Sequence, residues 1–113
     1  MLKYNRRFKD MINITEDNFD MEVEKADRLC VIDLYADWCG PCRALSRIFD
    51  SLEADNPDVK FCKINIDEQP KLAEMFRVTS IPLVAFVKGG TYLDMSVGLV
   101  PRSAFEKMIE EYK

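Results

Sequence analysis

The sequence contains no histidine at all. That absence excludes Cys-His proteases, Ser-His-Asp hydrolases, His-ligated zinc and every mechanism that uses an imidazole as base. Any proton that moves in this protein's chemistry must be carried by carboxylate, lysine, thiol or water. Long apolar runs are missing too: no segment approaches the roughly 18 apolar residues of a membrane span, so no membrane partner is expected. Residues 1–8 are basic but carry no continuous apolar core of the signal-peptide kind, and Asp10 follows at once. They read as a short lead-in to the fold, and a cytoplasmic location is expected. Basic charge is in deficit, with a formal net charge of -4, so most of the surface would repel a phosphate backbone. Nucleic acid is therefore not an expected partner.

What the chain does have is apolar residues, at 48% of 113. That suffices for one core, and residues 1–113 read as a single domain without repeats, linkers or low-complexity segments. Residues 11–14 suggest a short strand, and Thr15 a helix N-cap ahead of Phe19, Met21 and Val23. Residues 30–36 form a near-continuous apolar run with β-branched and aromatic members, as in a central strand covered on both faces. Asp33 is the exception within it. Beyond Gly40-Pro41, Leu45, Ile48, Phe49 and Leu52 recur at helical spacing and stop near Asn56-Pro57. A strand over 59–65 leads to a short helix over 70–76, with Pro70 suited to its first turn. A third run over 83–87 connects through Lys88-Gly89-Gly90-Thr91, a hairpin signal, to a return strand over 92–97. A last helix from Pro101 places Phe105, Met108 and Ile109 on one face. The order β-α-β-α-β-α-β-β-α calls for an α/β fold: a mixed sheet with helices on both faces.

Four cysteines could in principle make two structural bridges, but their spacing is uneven. Cys39 and Cys42 form a C-x-x-C, whereas Cys30 and Cys62 stand alone in apolar runs where a reduced thiol acts as a small hydrophobe. A C-x-x-C by itself suits half of a zinc site, a redox pair or coincidence. A four-thiolate zinc site would need Cys30 and Cys62 to converge with the pair, yet both sit inside expected strands rather than on loops. No metal or cofactor is expected. The pair lies where an apolar strand ends and a Pro-led helix begins, the context of a redox dithiol. At a helix start the unpaired N–H groups and the macrodipole favour an anion, so Cys39 should ionise more readily than a free thiol. Pro41 fixes φ in a first turn that has no acceptor for the missing N–H, and Gly40 permits close backbone approach.

Trp38-Cys39-Gly40-Pro41-Cys42, with Asp33 in the preceding strand and Ile81-Pro82 downstream, resembles the active-site pattern of the thioredoxin family. The resemblance runs over about residues 9 to 113 and takes in Lys63-Ile64-Asn65-Ile66-Asp67, Gly90 and Gly98. It implies a thioredoxin fold, with about five strands in a mixed sheet and about four helices, and a protein-disulfide reductase. It implies that Cys39 attacks a client disulfide and that Cys42 resolves the mixed disulfide, leaving a Cys39–Cys42 bridge. Asp33 resembles the family's buried proton acceptor and Lys63 its neighbouring lysine. Trp38, Ile81, Pro82, Val97 and Gly98 would form the rim that docks client peptide, with Pro82 in the place of the family's cis-proline. The partners implied are disulfide-containing clients and a flavin-dependent thioredoxin reductase, and the oligomeric state a monomer. An isomerase or oxidase of the same fold is disfavoured because oxidising relatives usually carry a histidine between the cysteines. A non-catalytic binding subunit would not need Cys39, Cys42, Asp33 and Pro82 together. Three positions depart from the pattern: Arg47 replaces a helix-kinking proline, Leu83 a common threonine, and Tyr35 a common tryptophan or phenylalanine.

A parallel pairing of Asp33 with Lys63, the register the resemblance implies, makes a further expectation. Cys30 precedes Asp33 by three and Cys62 precedes Lys63 by one, so both thiols fall on the face opposite Asp33, diagonal to each other. A diagonal gap of roughly 7 Å is too long for an unstrained disulfide. Two buried, reduced thiols are expected.

Overall fold

A computed structural model describes residues 11–113; the lead-in over 1–8 lies outside the described residues. The strands are β1 (Ile12–Asn13), β2 (Cys30–Tyr35), β3 (Lys60–Asn65), β4 (Leu83–Lys88) and β5 (Thr91–Val97). The helices are α1 (Gly40–Asp55), α2 (Pro70–Met75) and α3 (Arg102–Tyr112), with a π-helical turn at Asp20–Glu24. The sheet order is β1-β3-β2-β4-β5, parallel among the first three and antiparallel from β2 to β4 and from β4 to β5. The mixed sheet and its helices match the expected architecture, with element ends shifted by a residue or so.

Two apolar layers hold the sheet. On one face, Leu45, Phe49 and Leu52 of α1 and Phe105 and Ile109 of α3 cover Val31, Phe61, Val84 and Phe86. The Phe49 ring meets Phe61 and Phe105 edge-on at 5.6 and 6.0 Å, contacts worth about 0.5–1.5 kcal/mol each beyond their buried area. On the other face, Val23, Leu72 and Phe76 cover Ile32, Leu34, Ile64 and Ala85. Covered on both sides, β2 is buried from Cys30 to Leu34, which is why its sequence does not alternate.

One local expectation fails. Thr15 does not cap a regular helix with its side chain; Asn18 accepts the Thr15 N–H at 2.8 Å and donates to the Asn13 carbonyl at 2.9 Å. The following turn is π-helical, Val23 is buried in it, and Met21 faces solvent. The local polar contacts of Asn18 hold this turn in place of a Thr cap. The glycine hairpin forms as expected: Gly89 and Gly90 have φ of 59° and 77°, the left-handed pair that a two-residue turn requires.

Candidate active site

The end of β2 and the start of α1 meet at the C-x-x-C. A turn closed by the Cys39 N–H on the Ala36 carbonyl, at 3.2 Å, reverses the chain into α1. Cys39 is extended (φ -88°, ψ 111°) and is the N-cap of α1, its Sγ accepting the Cys42 N–H at 3.2 Å. A sulfur there satisfies one of the orphan donors of the helix start and lies at the positive end of the helix dipole. Cys42 is one turn in, with its Cα 5.2 Å from that of Cys39, and the two are joined in a disulfide. Pro41 occupies the first turn, where it costs no hydrogen bond. A Cβ built on Gly40 would touch nothing within 4 Å. The surface beside the disulfide is therefore open to an approaching chain, and internal packing does not require glycine there.

Asp33 lies beneath this helix start. Strand alternation puts it on the Val31 face, which α1 covers through the buried stripe Cys42, Leu45, Phe49 and Leu52. The carboxyl is wholly buried, and neither oxygen has a hydrogen-bond partner among the described residues. Burial without compensation pushes its pKa up to about 8. Lys63 is its register partner across β2 and β3, as expected, and is itself nearly buried. Alignment along the strands makes the two neighbours without a hydrogen bond between them.

The remaining site residues gather around the pair. Ile81 packs against the cluster of Ala36, Cys39 and Cys42. The Ile81-Pro82 bond is cis, and the Pro82 carbonyl accepts the Gly98 N–H at 2.8 Å. Gly98 has φ of 89°, a conformation that suits glycine, and Val97 beside it is exposed and paired with Leu83. Trp38 is 67% exposed and donates its Nε1–H to Asp67 at 2.9 Å. Ile81 is thus packed on the Cys39–Cys42 cluster and Pro82 is tied to Gly98, while Trp38 is held by Asp67 and Asp33 pairs with Lys63 within the sheet. Two residues were not assigned roles from sequence: Asp67 anchors the indole, and Asn65 accepts the Asp67 and Glu68 N–H groups at 3.0 and 3.2 Å, holding the loop that carries it. Both stand in the Lys63–Asp67 stretch, whose pattern signalled importance without a partner. Tyr35, with Ala36, Asp37, Arg43 and Ser46, lines a hollow of about 180 Å³ that reaches Cys42. Its hydroxyl is held in the phenol form, first by burial and then by nearby Asp37.

Cys30 and Cys62 are free and buried in the opposite layer, under α2 and the π-helical turn. The register pairs Asp33 with Lys63 and Ile32 with Cys62, so the thiols are diagonal as expected. The neighbouring Cys30 thiol, and then burial, push the Cys62 thiol up. Arg47 lies within an uninterrupted α1. Among the described residues, no helix is long and apolar enough to cross a membrane.

The Thioredoxin family profile matches residues 10–111. A thioredoxin of Chlorobaculum thiosulfatiphilum is 36% identical over 100 residues, covering 87% of this chain and 92% of that one. A thioredoxin of Chlamydia muridarum is also 36% identical over 100 residues, covering 88% and 96%. The oxidized form of mitochondrial thioredoxin 3 from Saccharomyces cerevisiae superposes with a TM-score of 0.84 at 31% identity, over 92% of this chain and 97% of that one. The chain belongs to the thioredoxin family and is a protein-disulfide reductase whose redox-active cysteines are Cys39 and Cys42.

Proposed function

We propose that Cys39 is the attacking thiolate, Cys42 the resolving thiol and Asp33 the acceptor of its proton. The observation that carries this assignment is the position of the Cys39 sulfur as the cap of α1, with Cys42 one turn inward on the face above Asp33. In the dithiol form, Cys39 thiolate attacks one sulfur of a client disulfide, and the other client sulfur leaves as thiolate. Cys42 passes its proton to the carboxylate form of Asp33 and attacks the Cys39 sulfur. The second client sulfur departs, and the Cys39–Cys42 disulfide remains. A carboxyl whose pKa is about 8 suits this transfer, because its proton affinity is close to that of a thiol. Lys63 is a positioning charge beside that carboxyl. Trp38, Ile81, Pro82, Val97 and Gly98 form the docking rim, with Gly40 and Pro41 holding the approach open and the turn in shape.

The reading extends to partners and setting. The clients are proteins with accessible disulfides, the electron donor is a flavin-dependent thioredoxin reductase, and the working unit is a monomer with residues 1–113 as one domain. The cytoplasm fits as compartment, since a reductant with two further unpaired cysteines, Cys30 and Cys62, suits a reducing milieu. The test is trapping. Cys42→Ser should accumulate a mixed disulfide between Cys39 and a client, visible by non-reducing electrophoresis, whereas Cys39→Ser should form none and lose turnover. A stable adduct through Cys42 in the Cys39→Ser protein, with none in Cys42→Ser, would reverse the roles.

A further inference from the structure

Eight large hydrophobic side chains are exposed among the described residues, and five of them fall together: Tyr92, Leu93, Met95, Val97 and Leu99. They belong to β5 and its exit. Among the described residues β5 is an outer strand, paired only with β4. Its register puts Val97 opposite Leu83, Met95 opposite Ala85 and Tyr92 opposite Val87, with Leu93 at an irregularity between Phe86 and Val87. Leu83, Ala85 and Val87 belong to the layer that α2 covers further in. Val97, Met95 and Tyr92 therefore project from that same face, where each is nearly half exposed. The charged residue of the strand is turned away: Asp94 pairs with Phe86, whose layer lies on the other face, and accepts the Tyr112 hydroxyl at 2.8 Å.

The result is an uncharged apolar stripe along one face of an edge strand. Scattered exposed hydrophobics are ordinary, but a contiguous row marks a surface that is covered in use. Its upper end is Val97, joined through the Gly98 N–H to Pro82, whose neighbour Ile81 packs against Cys39 and Cys42. From there it runs roughly 14 Å to Tyr92, the length of the four residue steps from Leu83 to Val87 opposite at about 3.4 Å each, since Leu93 is the extra residue of the irregularity. The Tyr92 ring meets that of Phe76 at 5.7 Å, beside a cavity of about 210 Å³ that Phe19 and Met75 also line.

We propose that this stripe is a specificity surface of the reductase, docking an extended apolar segment that flanks the client's disulfide. The inference rests on the site reading above and names its substrate class: disulfides in unfolded or partly folded chains with an apolar flank. Continuity with the client rim carries the assignment. A client chain whose sulfur is held at Cys39 and whose flank leaves past Ile81-Pro82 and Gly98 meets Val97 next, and the row from Val97 to Tyr92 then offers it an apolar path. A second copy of this chain seated on the stripe would cover Val97 and close the disulfide, so it does not suit a working reductase. Met95, with Met75 at the lower end, gives the surface side chains that repack around differing sequences.

Two synthetic peptides test this, each a disulfide ring followed by about six residues, long enough to span the stripe. One tail is built of valine and leucine, the other of serine and glycine. The reduced protein should reduce the apolar-tailed peptide with kcat/KM about tenfold higher, the size of burying about one apolar side chain. Met95→Glu should bring the ratio of the two values close to one, and Met95→Leu should keep it. Both peptides reduced equally by the unaltered protein, or a ratio that survives Met95→Glu, would overturn the stripe alone. Neither peptide reduced would overturn the Cys39–Cys42 reading and the stripe with it. A dimer in sedimentation that Met95→Glu dissociates would give the stripe to a second copy and also overturn the proposal.

Discussion

At the scale of the residue, Asp33 combines a stability cost with a chemical use. Its ordinary value of 3.8 rises to about 8 in the fold. Between those limits the folded chain holds a proton that the unfolded chain has released, so stability falls as pH rises through that window and levels off above it. Each pH unit inside the window costs up to about 1.4 kcal/mol. Asp33→Asn removes the dependence: in urea denaturation it should be more stable than the parent by at least about 2 kcal/mol at pH 8 and nearly equal at pH 4. The same change should slow release of reduced client by roughly a hundredfold, the low end for loss of one general base. Fast release together with the stability gain would leave Asp33 a passive buried acid. The diagonal thiols give a second residue-scale expectation. In the oxidised native protein neither Cys30 nor Cys62 should react with a thiol reagent, and both should react after denaturation. A Cys30–Cys62 bridge found by mass spectrometry of the non-reduced protein would contradict this.

At the scale of the element, α1 and the β4–β5 hairpin differ in what holds them. α1 owes its place to one apolar stripe on the sheet, headed by Cys42, which places the redox pair and the core on a single rigid piece. The hairpin depends on two glycines. Gly90 has φ of 77°, and a Cβ there would lie 3.3 Å from the Glu24 carbonyl oxygen, whereas a Cβ on Gly89 would meet nothing within 4 Å. Both strain and crowding thus act at Gly90 and strain alone at Gly89. Gly90→Ala should destabilise by about 1–2 kcal/mol from its left-handed backbone, with the crowding in addition. Gly89→Ala should cost less, and denaturant midpoints at constant m-value would measure both.

At the scale of the whole molecule, the reduction potential reports how much better the fold accommodates the Cys39–Cys42 disulfide than the dithiol. The cap that stabilises a Cys39 thiolate favours the dithiol; Asp33 holds its proton below about pH 8 and opposes a thiolate close by only where it ionises above that value. For a reductase the balance should fall near about -270 mV when the protein is equilibrated in dithiol buffers. A value near about -180 mV would mean roughly 4 kcal/mol more oxidising power and would move the function to an isomerase. The hydrophobic layers act on this balance only indirectly, by keeping β2 and α1 in register.

The sequence by itself determined the redox pair, the order of elements and the placement of Asp33, because each is written in short-range terms: a C-x-x-C, apolar periodicity, and one carboxylate in an otherwise apolar run. It also determined the face shared by Cys30 and Cys62, since strand parity follows from counting once Asp33 is paired with Lys63. The turn at Asp20–Glu24 was not legible, because Asn18 rather than Thr15 supplies the local hydrogen bonds, and both residue types suit a helix start. The anchoring of Trp38 by Asp67, the hydrogen bond from Gly98 to Pro82 and the exposed row on β5 were decided only by the tertiary structure. Each depends on which residues distant in the chain become neighbours, and on how far α2 reaches across the sheet, quantities that no local pattern encodes.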